Sequence, residues 1–382
     1  MKKHIYLDYA ATTPVDSAVL EKMYPYFQTY FGNPSSMHWF GEQAAAILMQ
    51  SRDTVAQLFG VSPEEVIFTG SGTESNNLAI RSTTFYRREK HGAATILTTP
   101  IEHPGVAKTI EQLVRINGLN VEYLPVDQYG MVDPEDVRHA LSNKIAMVSV
   151  MHANNEIGTL NPVAEIGKYC REHGIPFHTD SVQAAAHLDF TLSGINADFV
   201  SVGAHKFYGP KGVGALIARK NIPIEASITG GSQEYGKRAG TQNIPLIIGF
   251  TEALKVLRVN LKQDVELDRK LQKLILEQVL GTIPDAKLTG HPTQRLSNHS
   301  SFVFKGIDGN QLLKTLDSYG YACSSGSACK SGIAKENSVL KALGFSNEWS
   351  TGSVRITTGR DTTTEDVNGF CELLAEVVRI LR

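Results

Sequence analysis

The stretch Ala197-Asp-Phe-Val-Ser-Val-Gly-Ala-His-Lys-Phe-Tyr-Gly-Pro-Lys-Gly212 decides the fold that we expect for this chain. Residues 199–202 predict a short buried strand, and the run turns polar at His205 and Lys206 before it breaks at Gly209-Pro210. Open α/β sheets bind ligands beyond the carboxyl ends of their strands. The stretch therefore predicts a lysine at a ligand site. Taken by itself, Lys206 could equally be an ordinary surface lysine in a loop.

The composition of the chain sets broad limits. Its 382 residues are 42% hydrophobic, which is enough for a large core and more than one domain. The net charge of −2, from 37 basic and 39 acidic residues, argues against direct nucleic-acid binding. No apolar run reaches membrane-spanning length, and the amino terminus lacks an apolar signal core. The 4 cysteines form neither a disulfide framework nor a zinc motif, so we expect a cytoplasmic protein without a metal.

Strand and helix patterns alternate along the first two thirds of the chain. Strands are predicted at 66–69, 95–98, 121–124, 145–151, 175–179, 197–203 and 213–218. This pattern predicts an α/β fold with a mainly parallel seven-stranded sheet covered by helices on both faces. Beyond Gly230-Gly231, helices are predicted at 245–283, 309–319 and 363–381, and strands at 301–304 and 354–358. We expect a large domain over 15–255 and a smaller α+β domain formed by 1–14 and 256–382.

A glycine loop follows the first of these strands. Gly70-Ser-Gly-Thr-Glu-Ser75 opens a helix with small residues, whose free backbone N–H groups and helix dipole can bind an anion. The loop has neither a Walker A lysine nor the dinucleotide glycine spacing, so we expect a phosphate monoester. A plain capped turn, with Ser71 and Glu74 at capping-box spacing, is the alternative.

Polar residues also follow three other strands. Asp180 could keep a pyridine nitrogen protonated, as pyridoxal phosphate requires, or it could simply cap a helix. His103 could stack on a flat cofactor and relay protons, or be a loop histidine with satisfied hydrogen bonds. The amides of Asn154-Asn155 could bind a phenolic oxygen of the cofactor or serve the backbone.

Two residues of the second domain point to chemistry. Cys329 lies in the polar run Ser324-Ser-Gly-Ser-Ala-Cys-Lys-Ser-Gly332, which suits an exposed and ionisable nucleophile, whereas the apolar surroundings of Cys371 suit a structural thiol. Arg355 stands alone in an apolar strand. An arginine in such a place binds a carboxylate, either of a substrate or of a neighbouring side chain.

The motifs together resemble a known family. They occur in this order: Leu7-Asp-Tyr-Ala-Ala-Thr-Thr-Pro14, Gly32-Asn-Pro-Ser-Ser36, Gly72-Thr-Glu-Ser75, His152-Ala-Asn-Asn-Glu156, Gly203-Ala-His-Lys206, Gly209-Pro-Lys-Gly212, Gly230-Gly231, Arg238-Ala-Gly-Thr241 and Ser324-Ser-Gly-Ser-Ala-Cys329. The set resembles the cysteine desulfurases of the NifS/IscS type over nearly the whole chain. The resemblance implies a homodimeric fold-type-I enzyme that uses pyridoxal 5′-phosphate to convert L-cysteine to L-alanine, leaving a persulfide on its own cysteine.

The resemblance also implies roles for individual residues. Lys206 would hold the cofactor covalently and move protons, Asp180 would pair with the ring nitrogen, and His103 would stack on the ring. Arg355 would bind the substrate carboxylate and Cys329 would attack the substrate sulfur. The residues implied to contact the cofactor are Gly72, Thr73, His103, Asn155, Asp180, Gln183, Gly203, His205 and Lys206, with Thr241 reaching the phosphate across the dimer interface; Asn155 would also contact the substrate.

Two features depart from the family pattern. Gly203 replaces a serine that often bonds the phosphate, so that contact is lost or is supplied by a backbone N–H or by Ser201. Cys323 lies six positions before Cys329 and could form a transient disulfide, relay sulfur or simply pack.

The implied partners and the competing functions stay open at this point. The expected acceptors are iron–sulfur scaffolds or the proteins of tRNA or DNA thiolation. A selenocysteine lyase or another aminotransferase-like enzyme of the same fold is one alternative. A catalytically idle sulfur-assembly scaffold is the other.

Overall fold

A seven-stranded mixed sheet forms the centre of the larger part of the protein. The computed structural model describes residues 4–325 and 337–382. Its strands are β1 (Ile5–Tyr6), β2 (Val66–Thr69), β3 (Thr95–Thr98), β4 (Asn120–Tyr123), β5 (Ile145–Ser149), β6 (Phe177–Asp180), β7 (Phe199–Gly203), β8 (Gly214–Ala218), β9 (Ala286–Leu288), β10 (His299–Phe304), β11 (Tyr321–Ala322) and β12 (Ser353–Thr357). The central sheet has the order β2-β8-β7-β6-β5-β3-β4. Within this sheet β8 runs antiparallel to both of its neighbours, β2 and β7, and the other described strand pairs of the sheet are parallel, so the predicted α/β sheet is confirmed.

Helices cover both faces of this sheet, and further helices pack with the smaller part of the protein. They are α1 (Ser17–Met23), α2 (Pro25–Gln28), α3 (Trp39–Phe59), α4 (Gly72–His91), α5 (Pro104–Asn117), α6 (Pro134–Ala140), α7 (Val163–Glu172), α8 (Ile244–Thr282), α9 (Gly309–Ser318), α10 (Ser338–Ala342), α11 (Asn347–Ser350) and α12 (Thr364–Leu381). None of these helices within the described ranges has the length and apolarity needed to cross a bilayer.

The start of α4 follows the predicted capping pattern only in part. The Ser71 hydroxyl accepts a hydrogen bond from the Glu74 N–H at 3.1 Å, as an N-cap should. The Glu74 carboxylate, however, accepts from the N–H of Gly70 at 2.7 Å and pairs with Arg238. The helix therefore begins where expected, but its glutamate ties down the preceding loop instead of closing a capping box.

A smaller three-stranded sheet, β12-β10-β9, lies beyond the long helix α8. Apolar residues of α8 up to Leu257 belong to the core under the large sheet, and those from Leu271 onward pack with the smaller sheet. The predicted domain boundary at residues 255 and 256 falls inside this continuous helix. The division into domains over those ranges stays a prediction.

The amino-terminal segment joins the two parts. Leu7 donates to Ala322 and accepts from Thr357, so it belongs to the smaller part. Six residues later, Thr13 donates from its N–H to the carbonyl of His205 at 2.9 Å. The segment thereby runs from the small sheet to the turn that follows β7, and it lies between the two.

A buried ion pair anchors the segment that follows β8. The Arg52 guanidinium donates to both carboxylate oxygens of Glu234 at 2.8 and 2.7 Å, and the N–H of Phe68 donates to the same carboxylate at 2.9 Å. The two side chains are only 6% and 1% exposed. Glu234 has a φ of 48°, which is strained for a residue other than glycine. The pair holds this strained turn against β2 and α3.

Removing one partner of this pair should destabilise the protein strongly. Arg52→Met leaves a carboxylate buried without its counter-ion, which costs about 3–5 kcal/mol. We expect a clear drop in the midpoint of urea unfolding. Arg138→Met is the matched control, because Arg138 and Glu135 pair on the surface at 43% and 46% exposure, and its midpoint should not move. Equal midpoints for the two variants would contradict this assignment.

Candidate active site

A cavity of about 410 Å³ opens at the carboxyl ends of the parallel strands. The positions where β2, β3, β5, β6 and β7 end all contribute to its walls. It is lined by Ala10, Ala11, Ser71, Gly72, Thr73, Asn76, His103, Met151, Ala153, Asn155, Asp180, Val182, Gln183, His205, Lys206 and Arg355. A cavity of this size suits a small cofactor together with a substrate. Nine residues of this chain were predicted to contact the cofactor, and the structure places eight of them on the wall of this one cavity. The ninth, Gly203, does not line it.

Lys206 lies in a short turn directly after β7. Its Nζ donates to the carbonyl oxygens of Ala10 and Ala11 at 2.5 and 2.8 Å. Burial, together with the nearby positive charge of Arg355, lowers the pKa of Lys206 to about 8. A lysine with this pKa has a substantial neutral fraction near pH 8 and can attack an aldehyde.

Asp180 ends β6 at the bottom of the cavity. Its carboxylate accepts from Asn76 Nδ2 at 2.7 Å and from the N–H of Val182 at 3.0 Å. The second contact is the backbone capping bond that the sequence offered as the alternative role of Asp180. Asp180 therefore stabilises the turn after β6 and also lines the cavity. Asn76 was missed by the sequence reasoning, although it lies on α4 one turn after Thr73. Its buried Oδ1 has no hydrogen-bond partner among the described residues.

The start of α4 forms the anion end of the cavity. A Cβ at Gly72 would lie 2.4 Å from Val182 Cγ2, so only glycine fits there. The N–H groups of this first turn have no partner within the helix. His205 lines the same cavity. Burial, followed by the positive charge of Lys206, lowers the pKa of His205 to about 4. A neutral His205 can still donate one hydrogen bond to an anion.

Gly203 has space for a larger residue. A Cβ there would contact the Gly72 nitrogen at 3.5 Å, which is an ordinary contact distance. Ser201 does not replace the missing hydroxyl, because its Oγ bonds His178 Nε2 at 3.0 Å in the buried sheet. Of the alternatives stated above, a backbone N–H of the α4 turn remains as the substitute donor, and loss of the contact remains the other.

His103 is held by its own helix. Its Nδ1 accepts from the N–H of Gly105 at 2.9 Å, so the ring caps α5 and also faces the cavity. The preceding residue, Glu102, accepts from the N–H of Met151 and from the Thr99 hydroxyl, both at 2.9 Å. Burial, with a contribution from Asp180, raises the pKa of Glu102 to about 8. No local pattern indicated this role of Glu102. Its carboxyl connects residues that follow β3 and β5.

Arg355 combines both of its predicted alternatives. Its Nη2 pairs with the Asp8 carboxylate at 2.6 Å, and its Nη1 donates to the carbonyl of Asn155 at 2.8 Å. The buried Nε has no partner in the described part of the chain. The arginine is therefore oriented by a protein carboxylate and lines the cavity. Asp8 was part of a quoted motif, but its pairing was not foreseen.

The remaining predicted site residues lie in different places. Asn154 serves the backbone, accepting from the N–H groups of Glu156 and Ile157, whereas Asn155 lines the cavity. Gln183 lines it too and donates from Nε2 to the Ala10 carbonyl at 2.8 Å. Thr241 is exposed and does not line the cavity of its own chain. Cys329 lies outside the described residues.

Cys323 fits a packing role. It is half-buried against the core of the smaller part, and burial together with the charge of Asp8 raises its pKa to about 12. A thiol with that pKa is not an effective nucleophile near neutral pH. Packing is therefore the alternative that these surroundings favour.

This fold and this site define a member of the aminotransferase class that binds pyridoxal phosphate. The chain matches the family of class-V aminotransferases over residues 5–370, and it belongs to that family.

Similarity to particular proteins identifies the activity within this family. The chain is 41% identical to the cysteine desulfurase IscS of Dictyoglomus turgidum over 382 residues, which is 100% of this chain and 96% of the relative. A solved NifS-like protein superposes with a TM-score of 0.91 at 34% identity, covering 99% of this chain and 100% of the other. The structure of SspA in complex with cysteine superposes with a TM-score of 0.82 at 33% identity, covering 94% and 99%. These similarities confirm the predicted resemblance, the cysteine desulfurase activity and the dependence on pyridoxal phosphate.

The residues of the cavity fit this cofactor. The α4 amino terminus and His205 suit its phosphate, Asp180 suits its ring nitrogen, and Lys206 suits its aldehyde. Asn76 Oδ1, which is buried and has no partner within residues 4–325 and 337–382, is a further acceptor on the residue that contacts Asp180.

The low pKa of Lys206 should be visible as the cofactor binds. Only the neutral amine reacts with an aldehyde, so the rate at which cofactor-free protein gains its visible absorbance should rise with pH and level off above about pH 8. Arg355→Gln removes a positive charge and should move this midpoint upward, whereas Arg355→Lys keeps the charge and should leave it in place. A rate that climbs steadily to about pH 10 in the wild-type protein would contradict the pKa.

Proposed function

We propose that this protein uses the cavity around Lys206 to remove sulfur from L-cysteine, giving L-alanine and a persulfide on Cys329. One observation carries the residue roles: a lysine with a pKa of about 8, a buried aspartate and a buried arginine line the same cavity. The bound cofactor supplies an electron sink for the carbon atoms of the substrate.

Arg355 orients the substrate. Its guanidinium binds the substrate carboxylate, while the Asp8 carboxylate and the Asn155 carbonyl hold that guanidinium in place. The substrate α-carbon then lies near Lys206 Nζ, which takes its proton and later returns one. Asn155, on the same wall as Arg355, contacts the substrate side of the cavity.

The sulfur transfer is balanced without an external oxidant or reductant. The bond from Cβ to sulfur in cysteine breaks, and a new bond forms between that sulfur and Cys329 Sγ. The carbon gains the electron pair and a proton and becomes the methyl group of alanine. The sulfur becomes the outer atom of the persulfide, at the oxidation level of a disulfide.

Replacing the attacking thiol separates this activity from other chemistry of the same fold. Cys329→Ser should keep the visible absorbance of the bound cofactor, because Lys206 and Asp180 are untouched, but it should abolish release of sulfide from L-cysteine in the presence of a reductant. Cys323→Ser is the matched control and should retain most of the activity, because the high pKa of Cys323 makes it a poor nucleophile. Sulfide release that survives Cys329→Ser would overturn the assignment of Cys329.

The acceptor is another protein, and its class is part of the proposal. The similarity to IscS and NifS-like proteins supports transfer of the persulfide sulfur to an acceptor protein. We assign this acceptor to iron–sulfur assembly or to the thiolation of tRNA or DNA, and the reaction to the cytoplasm. Recovery of one of these proteins carrying sulfur from isotopically labelled cysteine would identify the pathway.

A second copy of the chain completes the phosphate end of the site. An aromatic surface around α2 and the start of α3 is exposed in the single chain: Phe27 is 55%, Phe31 64%, Met37 96% and Trp39 59% exposed. An exposed apolar patch of this kind is typical of an interface between proteins. Thr241, which is also exposed, would then reach the phosphate of the partner, as the resemblance implies.

A charge placed in this surface should separate the copies. Trp39→Asp should give a monomer by sedimentation, and its affinity for pyridoxal phosphate should fall about 10- to 100-fold because a charge-assisted hydrogen bond to the phosphate is lost. Ile380→Asp, on a residue of α12 that is 70% exposed, is the control and should remain a dimer. A Trp39→Asp monomer that holds the cofactor as tightly as the wild-type protein would contradict the role of the partner.

A further inference from the structure

The chain on either side of residues 326–336 is attached to two adjacent residues, Asn155 and Glu156. On the amino-terminal side, Ser324 pairs with Arg355 across an antiparallel bridge, with N–H to carbonyl distances of 3.2 and 2.6 Å in the two directions. Arg355 in turn donates to the carbonyl of Asn155 at 2.8 Å. This side is therefore linked through the backbone of one strand to the wall of the cavity.

The carboxyl-terminal side is attached through Asn337. Its Nδ2 donates to Glu156 Oε2 at 3.0 Å, and its Oδ1 accepts from the N–H of Leu340 at 2.9 Å as the N-cap of α10. Asn337 is only 4% exposed. Its side chain thus performs two tasks with two different atoms: the oxygen starts a helix, and the nitrogen ties that helix to the loop after β5.

Apolar packing supports the same attachment. Val339 and Leu340 of α10 lie in one buried cluster with Met151 and Ile157, which flank Glu156 in the loop after β5. The cluster sets how closely α10 approaches the loop, but apolar contacts do not fix its rotation. A buried hydrogen bond between defined atoms does fix it.

Glu156 is not needed for the local structure of its own loop. Asn154 Oδ1 already accepts from the N–H groups of Glu156 and Ile157 at 2.8 and 3.0 Å, which stabilises that turn. Burial raises the pKa of the Glu156 carboxyl to about 7, partly offset by the Asn337 hydrogen bond and the charge of Arg355. Burying a carboxyl there costs free energy, and the hydrogen bond from Asn337 offsets part of that cost.

We propose that Glu156 is a positioning residue for the sulfur-transfer step, acting through Asn337 on the place where the chain that carries Cys329 rejoins the fold. The inference rests on the proposed function, in which Cys329 is the nucleophile. The attachment on one side passes through the arginine that orients the substrate, and on the other through Glu156. Two adjacent residues thereby contact Arg355 and Asn337, which are attached to the described chain on the two sides of residues 326–336.

Exchanging the donor and the acceptor tests this contact. Asn337→Asp keeps an oxygen for the Leu340 N–H but loses the donor to Glu156, and above the pKa of Glu156 it sets two carboxylates against each other. Glu156→Gln keeps an acceptor for Asn337. The double variant Glu156→Gln with Asn337→Asp restores a hydrogen bond with its direction reversed. Glu156→Ala removes the contact from the other side.

The readout is the rate of persulfide formation on Cys329 in a single turnover of the cofactor-loaded enzyme with L-cysteine, followed by mass spectrometry at about pH 8.5. We expect Asn337→Asp and Glu156→Ala to be slowed about tenfold, with KM and cofactor absorbance close to wild type. The thermal midpoint of both variants should fall, because a buried polar group loses its partner. Glu156→Gln should react at nearly the wild-type rate, and the double variant should recover most of the rate lost by Asn337→Asp.

Three results would overturn the proposal. One is a wild-type rate in both Asn337→Asp and Glu156→Ala. Another is a double variant as slow as Asn337→Asp. The third is a loss confined to KM, which would assign Glu156 to substrate binding. Persulfide formation that survives Cys329→Ser would instead overturn the proposed function itself, so the two failures are distinguishable.

Discussion

The amino-terminal segment is the connection on which the site depends. The carbonyl of Ala10 accepts hydrogen bonds from both Lys206 Nζ and Gln183 Nε2, and two residues earlier Asp8 pairs with Arg355. A few consecutive residues therefore hold the lysine of the large sheet and the arginine of the small sheet. Because the same segment also pairs with β11 and β12, the two groups that must meet the same substrate are fixed relative to each other.

Burial is the second common cause in this site. It lowers the pKa of Lys206 to about 8 and of His205 to about 4, and it raises that of Glu102 to about 8 and of Glu156 to about 7. Each change reduces the charge of a group that lies away from water. Asp180 is held by hydrogen bonds from Asn76 and Val182, and Arg355 is held by Asp8. A cofactor that carries phosphate and a protonated ring would meet fixed and complementary groups.

Several side chains have a structural and a functional task at the same time. His103 caps α5 and faces the cavity, Asp180 holds the following turn and faces the same cavity, and Asn337 caps α10 while it contacts Glu156. In each case different atoms of one side chain perform the two tasks. The plain structural interpretation of such a residue and its catalytic interpretation are therefore not exclusive, and substitutions at these positions need readouts of both stability and rate.

The sequence alone determined the order of strands and helices, because hydrophobic periodicity and glycine or proline breaks are local properties. It also brought Lys206, Asp180, His103 and Arg355 to one place, because parallel strands end at the same edge of a sheet and motif order identified the family. Short strands such as β9 and β11 were missed, since two or three residues carry no periodicity. The pairing of Asp8 with Arg355 and of Glu156 with Asn337 joins residues 347 and 181 positions apart. Only the tertiary structure decided these contacts, because nothing in the local sequence specifies which distant side chain a buried charge will face.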